Sequence, residues 1–324
     1  MEIYTGTYKG LDCYCLENEM IKLTVLPELG SKIASLIYKP QKFEVFFQPT
    51  DGVYSLPEYG ADFAQFDTSG ADEMFPTIDC CIYPYPGYCG EKLPDHGELW
   101  SQPWVVTEAD DRLTTQAKGR ALSYRFTRSI VLHGSTVCME YTIYNTGYQP
   151  LYGLWAFHGL TASDALTEIL LPEVKTVITV HNSSRLGPAK TKHLFPITMD
   201  QDGNQYHLDT VAATSAGKTE KIYVDGKMTQ GQAALTLNKG QLLYKLLFPV
   251  QHVPYLGIWM NEGGYKSEYN CALEPSTGYY DSLEVTKEQE SLQPIAPGES
   301  AKWHLHIELI PSPAADYDDP IDKP

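Results

Sequence analysis

Positive charge is what this chain has least of. Lys and Arg number 24 against 41 Asp and Glu, a formal net charge of −17 over 324 residues. A surface this acidic repels phosphate backbones and anionic lipid, which argues against nucleic acid or a membrane as partner and leaves neutral ligands such as sugars. Long hydrophobic runs are missing too: no apolar stretch approaches the ~20 residues a helix needs to span a bilayer. The opening MEIYTGTYKG has neither a basic segment nor an apolar one, so the expectation is a soluble, cytoplasmic protein without a secretion signal. Cysteine is sparse and odd in number, seven in all, with Cys80 and Cys81 adjacent; that does not suit a disulfide framework and fits reduced thiols. From Cys81 to Cys89 there is no CxxC pair, so no zinc site is expected there. Helical periodicity is scarce, confined to a turn or two around SEYNCAL and TKEQESL, and there is no fixed-period repeat and no linker.

Strand patterns fill the space the helices leave. Hydrophobic residues make up 43% of the chain and aromatics 12%, with 23 tyrosines, enough for a sizeable packed core. IKLTVLP alternates Ile21, Leu23 and Val25 with Lys22 and Thr24, the period-two signature of a half-buried strand. SYRFTRSIVLHGSTVCMEYTIYN reads as two long strands reversing at His133 and Gly134. KTVITVH, GQLLYKLLFP, YLGIWMN, NCALEP and KWHLHIELI continue the series, separated by many of the 25 glycines and 22 prolines. The prediction is an all-β protein: one large antiparallel domain over residues 1–310, then a loosely held acidic, Pro-rich tail over 311–324. The polar region from Ala189 to Lys227 offers no placeable strands.

Several residues are candidates for chemistry, each with a plainer alternative. His96, in KLPDHGELWSQPW, follows Asp95 and precedes Gly97 at a turn close to Trp100 and Trp104; it is either a loop-borne functional group or a surface histidine beside two core indoles. His158, in LYGLWAFHGLTA, sits on an apolar strand, where most histidines are hydrogen-bonded core residues. Glu274, in NCALEPSTGYYD, ends a short apolar strand; burying a carboxylate unpaired costs several kcal/mol, so it needs a cation, donors or a ligand. No Lys or Arg lies between Lys266 and Lys287, so any cationic partner comes from elsewhere in the chain. WHLHIEL sets His304, His306 and Glu308 on one strand face, a pattern that fits a solvated outer sheet face better than a metal site. Asp72 and Glu73, in SGADEMFPTID, can hydrogen-bond hydroxyls or cap a turn.

Taken in chain order, a His in a Gly turn, a His at a strand end and a Glu before Pro and Gly resemble the galactose mutarotase-like superfamily of aldose 1-epimerases. The resemblance runs from ENEMIKLTVLPELGSKIASL, like that family's opening strands, to LQPIAPGESAKWHLHIEL, like its closing turn and last strand. It implies a large antiparallel β-sandwich with sugar bound in an open cleft on one sheet. His96 in DHGELW then matches the first active-site histidine, His158 in WAFHGL the second, and Glu274 in ALEPSTG the catalytic glutamate. Mutarotation opens a cyclic hemiacetal by taking a proton from the anomeric hydroxyl and giving one to the ring oxygen, with no cofactor and no nucleophile. Glu and His, with ordinary pKa values of ~4.3 and ~6.5, suit those duties near neutrality. The implied roles are Glu274 as base, His158 as acid and His96 as a hydrogen-bond partner whose charged form Asp95 or Glu98 favours. Trp100, Trp104 or Trp259 can stack on a pyranose face or pack in the core.

Two departures bear on the substrate. Aldose epimerases of this kind carry an upstream Arg contacting sugar, where GADEMFPTI offers Asp72 and Glu73. The hexose-6-phosphate branch has HGFAR where this chain has HGELW, placing Trp100 at the Arg position. The expected substrate is therefore an unphosphorylated sugar or oligosaccharide, with Asp72, Glu73, Asp95, Trp100 and Trp259 as its contacts. Two alternatives stay open: a glycoside hydrolase-related enzyme using paired carboxylates, and a carbohydrate-binding protein without turnover.

Overall fold

The alternating segments pair into two large antiparallel sheets in a computed structural model that describes residues 1–48, 52–66, 68–109 and 111–312. The predicted reversal is there, one residue later than His133 and Gly134: Tyr124–His133 and Thr136–Asn145 pair in register from Tyr124 opposite Asn145 to His133 opposite Thr136, leaving Gly134 and Ser135 as the turn. Gly134 takes a φ of +57°, as tight two-residue hairpin turns require. Along these strands Phe126, Ile130, Val137, Met139, Tyr141 and Ile143 point inward. Ser300–Pro311 joins the hairpin by pairing with Thr136–Asn145, so Trp303, Leu305, Ile307 and Leu309 are buried while His304 is exposed and His306 and Glu308 half-buried. His304, His306 and Glu308 thus lie on the outer face of the smaller, eight-stranded sheet.

The larger sheet carries the candidate residues. Its middle runs Lys32–Tyr38, Ala71–Met74, Ala156–Ala162, Tyr269–Ser276, Tyr255–Glu262 and Lys218–Val224, each strand antiparallel to the next. Between the sheets Tyr141 stacks on Trp303 at 5.5 Å and Trp155 lies 5.0 Å from Trp303, within one hydrophobic core drawn from both sheets. Each fully buried Leu, Ile, Val or Phe there contributes about 1.5–3 kcal/mol. Ala156 through Leu160 are buried along their whole length: one face looks into this core, the other is covered by the connections that hold Phe63 and His96.

Two local expectations change. SEYNCAL is not helical; from Tyr269 it belongs to a strand paired on both edges, and that pairing overrides the weak helical period. TKEQESL does begin in a helix, Leu283–Glu288, capped by the Ser282 hydroxyl accepting from the Val285 N–H. The region from Ala189 to Lys227 contains the strands Lys192–Leu194, Ile197–Met199, Gln205–His207 and Lys218–Val224. The last strand reaches Pro311, one residue into the expected tail, and residues 313–324 lie outside the described residues. Among the described residues no helix is long and apolar enough to cross a membrane.

Candidate active site

Strand register brings the distant residues onto one face. His158 is opposite Asp72, and Phe157 opposite Glu73; directly opposed residues share a face, so neighbours along a strand go to opposite sides. On the next strand Ala156 pairs with Ser276 and Leu160 with Ala272, which brings His158 level with Glu274. Beyond it Gly257 is opposite Glu274 and Trp259 opposite Ala272, while Tyr223 and Lys221 face Gly257 and Trp259. Asp72, His158, Glu274, Trp259 and Lys221 therefore lie on the face turned away from the inter-sheet core. On that face a cavity of about 260 Å³ is lined by Phe63, Thr68, Asp79, Asp95, His96, His158, Trp259, Tyr265, Glu268 and Asn270. A larger hollow of about 600 Å³ lies elsewhere, among Met1, Glu17, Lys39, Leu132 and Gly134, and contains none of the candidate residues.

His96 enters from a loop whose backbone permits little variation. His96 and Gly97 both take left-handed φ values, +57° and +73°. At Gly97 a Cβ would sit 2.3 Å from the Phe75 carbonyl oxygen, so only glycine fits against that strand end. The His96 N–H donates to the Ile78 carbonyl at 2.6 Å and the Glu98 N–H to the Phe75 carbonyl at 2.8 Å, pinning the turn on both sides. The imidazole then stacks on Phe63, 3.7 Å between centroids, and meets the His158 ring edge-on at 5.4 Å. His96 Nδ1 lies 3.1 Å from the Asp95 carboxylate, without hydrogen-bond geometry.

His158 is buried and its Nδ1 has no hydrogen-bond partner. Burial first, then repulsion from His96, Lys221 and Lys32, holds its pKa well below the ordinary imidazole value. Glu274 is wholly buried as well. The Lys221 ammonium donates to its Oε2, and Oε1 has no partner. Burial pushes the Glu274 carboxyl above its usual range, with Lys221 opposing. Lys221, also buried, is held protonated by Glu274 and Asp281 against its own desolvation. Asp79 completes the group: the Ile78 and Asp79 N–H groups both donate to the Asp281 carbonyl, at 3.1 and 2.7 Å, and burial together with the Asp281 charge raises Asp79 to about 6. Asp79, His181 and Asp281 bring three donor atoms within 4.8 Å of one another. Lys221 feels the charges of Asp281 and Asp79 as well as that of Glu274.

The expected sugar contacts divide. Asp95 and Trp259 line the cavity, Trp259 fixed by its Nε1 donating to Asn270 Oδ1 at 3.1 Å. Asp72 shares the cavity face but forms a buried pair with Lys32 at 2.5 Å. Glu73 must be corrected as a contact: it faces the opposite way, accepting from Arg128 at 2.9 Å, Tyr141 at 3.0 Å and Trp155 Nε1 at 2.7 Å inside the core. Trp100 must be corrected too. It is buried behind Phe63, its Nε1 donating to the Asp95 carbonyl at 3.0 Å, and so braces the His96 turn. Trp104 is buried against Phe126 at 5.4 Å. Sequence reasoning passed over Lys221, Phe63, Asp79 and Asp281. Only Lys221 left a trace, as the cation from elsewhere in the chain that was one of the partners open to a buried Glu274.

No protein-family model matches the chain and no curated protein matches it. Solved structures do. The Slr1438 protein of Synechocystis sp. PCC 6803 superposes with a TM-score of 0.68 at 17% identity, over 96% of this chain and 100% of that one. A galactose mutarotase related enzyme from Lactobacillus acidophilus gives 0.66 at 14% identity, over 92% and 97%. A galactose mutarotase-like protein from Clostridium acetobutylicum gives 0.67 at 13% identity, over 96% and 99%. Likeness at these identities speaks to fold.

Proposed function

We propose, for a chain that has the galactose mutarotase-like fold, that it is an aldose 1-epimerase acting on an unphosphorylated sugar. The observation that carries this reading is the meeting of His96 and His158 at 5.4 Å on a cavity wall, with Glu274, its Oε1 unpartnered, on the adjoining strand. Glu274 Oε1 takes the proton from the anomeric hydroxyl and His158 delivers one to the ring oxygen. The C1–C2 bond then rotates, and the ring closes with the roles reversed. His96, fixed by its turn and by Phe63, donates to or accepts from a neighbouring oxygen. Trp259 offers its face to the ring. Because the cavity is smaller than the ~300–1,000 Å³ typical of drug-sized ligands, a single sugar ring suits it best. Asp79, Asp95 and Glu268 along its wall disfavour a phosphate or carboxylate on that sugar.

Polarimetry of freshly dissolved α-glucose, galactose and a set of disaccharides tests the reading: the protein should accelerate the decay of at least one. Decay curves identical with and without protein for every sugar would overturn it. The competing view, sugar binding without turnover, draws on the complete burial of Glu274 against Lys221. Glu274→Gln separates the two, since turnover collapses in an enzyme while a binding protein keeps its affinity within a few fold.

A further inference from the structure

The buried ion pair at Glu274 has a geometry that points beyond fold stability. Lys221 does not face Glu274 across one strand. It is opposite Trp259, which is opposite Ala272, two residues before Glu274 on the same face. The ammonium therefore reaches diagonally over a strand, across a gap of about 10 Å between second-neighbour backbones. The residue in the intervening row is Gly257, opposite both Tyr223 and Glu274, and it has no side chain to stand in the way. Such a reach buries a lysine at the cost of several kcal/mol of desolvation. It ends on a single oxygen, Oε2, and leaves Oε1 buried without a partner. A pair built only for stability would have both oxygens answered. The charges of Asp281 and Asp79 add to that of Glu274 in favouring the protonated ammonium against its own desolvation. Facing groups from the other packed elements are His96 and His158, Tyr223 on the strand of Lys221, and His181 at 3.9 Å from Asp281.

We infer that Lys221 is a positioning residue for Glu274: it clamps Oε2, keeps the carboxylate ionised inside the protein, and so reserves Oε1 as the atom that accepts a proton. Without it a carboxyl this deeply buried takes up its own proton and can no longer act as a base. The inference rests on the base role proposed for Glu274, but its first test needs no sugar. With side-chain carboxyl ¹³C-labelled glutamate, and the Glu274 resonance assigned by its loss in Glu274→Gln, Lys221→Met should move the Glu274 titration up by at least one pH unit. Lys221→Arg, which keeps the charge, should move it by less than half that. Should Lys221→Met not fold, Glu274→Gln supplies the reciprocal measurement: the Lys221 ¹⁵Nζ signal should lose its proton at least one unit lower than in the wild type, because proton binding at two coupled sites is mutual. Titrations of both groups unchanged within 0.3 unit would overturn the inference. In the kinetic arm, the acidic limb of the Lys221→Met mutarotation profile should rise by the NMR shift, with kcat reduced more than KM. Mutarotation lost equally at all pH values, with no displacement of that limb, would also overturn it. A wild-type protein that shows the NMR coupling yet accelerates no sugar would count against the epimerase reading and the positioning role together, leaving the ion pair structural.

Discussion

At the scale of single residues, the site holds two proton carriers, Glu274 and His158, whose burial drives their proton affinities away from ordinary values. Desolvation acts on both proton carriers in opposite senses: it raises the carboxyl of Glu274 and lowers the imidazole of His158. A positioned acid or base works best when its pKa lies near the operating pH. A sign follows for the pH profile. If His158 must be protonated to serve the ring oxygen, its depressed pKa makes the imidazolium scarce at neutrality, so kcat/KM should fall with rising pH along a limb whose midpoint lies below ~6.5. A profile of kcat/KM from pH 4 to 9 checks it, and a midpoint at or above the free imidazole value would remove His158 from the donor role. Glu274→Gln, which keeps shape and loses the base, should cut the rate by about 10²–10⁴-fold, the usual worth of a positioned acid or base, with far-UV circular dichroism unchanged.

At the scale of elements, what matters is how a loop is made to deliver a side chain to a sheet. The DHGELW turn does so through two consecutive left-handed residues and a backbone packed on the end of the Ala71–Met74 strand. Gly97→Ala should force the turn away from Phe75, because its Cβ would overlap the carbonyl at 2.3 Å. The expected outcome is a loss of about 1–3 kcal/mol of stability together with a larger relative loss of mutarotation, since His96 moves with the turn. Urea denaturation and polarimetry on the same preparation check both. A variant stable and active as the wild type would show that the loop carries no such constraint. Period-two alternation explains the split between Asp72 and Glu73 in the same way: adjacent residues on a strand cannot share a face, so one reaches the cavity side and the other the core.

For the whole molecule, the two sheets are joined by apolar packing and by one buried charge system. Arg128, on the eight-stranded sheet, meets Glu73 of the larger sheet, with Ser31 Oγ accepting at 2.8 Å and Trp104 placed 5.5 Å from the guanidinium. Removing one partner leaves the other a buried charge without its counter-ion, which costs about 3–5 kcal/mol. Arg128→Met should lower the urea midpoint by a corresponding amount, and the double variant Arg128→Met with Glu73→Gln should recover part of it. The two single changes and their combination form a cycle that measures the pair. A single variant within about 0.5 kcal/mol of the wild type would mean that Glu73 takes up a proton at no cost.

Composition and alternation alone were enough to specify strands, since a period of two in polarity has only one regular backbone that can satisfy it. They also specified the hairpin at Gly134 and the inward faces of the last strands, because burial there follows directly from which residues are apolar. The chain order of His96, His158 and Glu274, with the resemblance it carries, indicated the fold and named the candidates. What the chain in one dimension could not supply was anything that depends on which strands become neighbours. That Glu274 finds Lys221, that Glu73 turns into the core toward Arg128, that Trp100 packs behind Phe63 and that Phe63 covers an imidazole all follow from contacts between segments tens of residues apart. Local propensity is blind to such pairing, because the free energy that selects a partner for a buried charge exists only once the sheets have closed around it and excluded water.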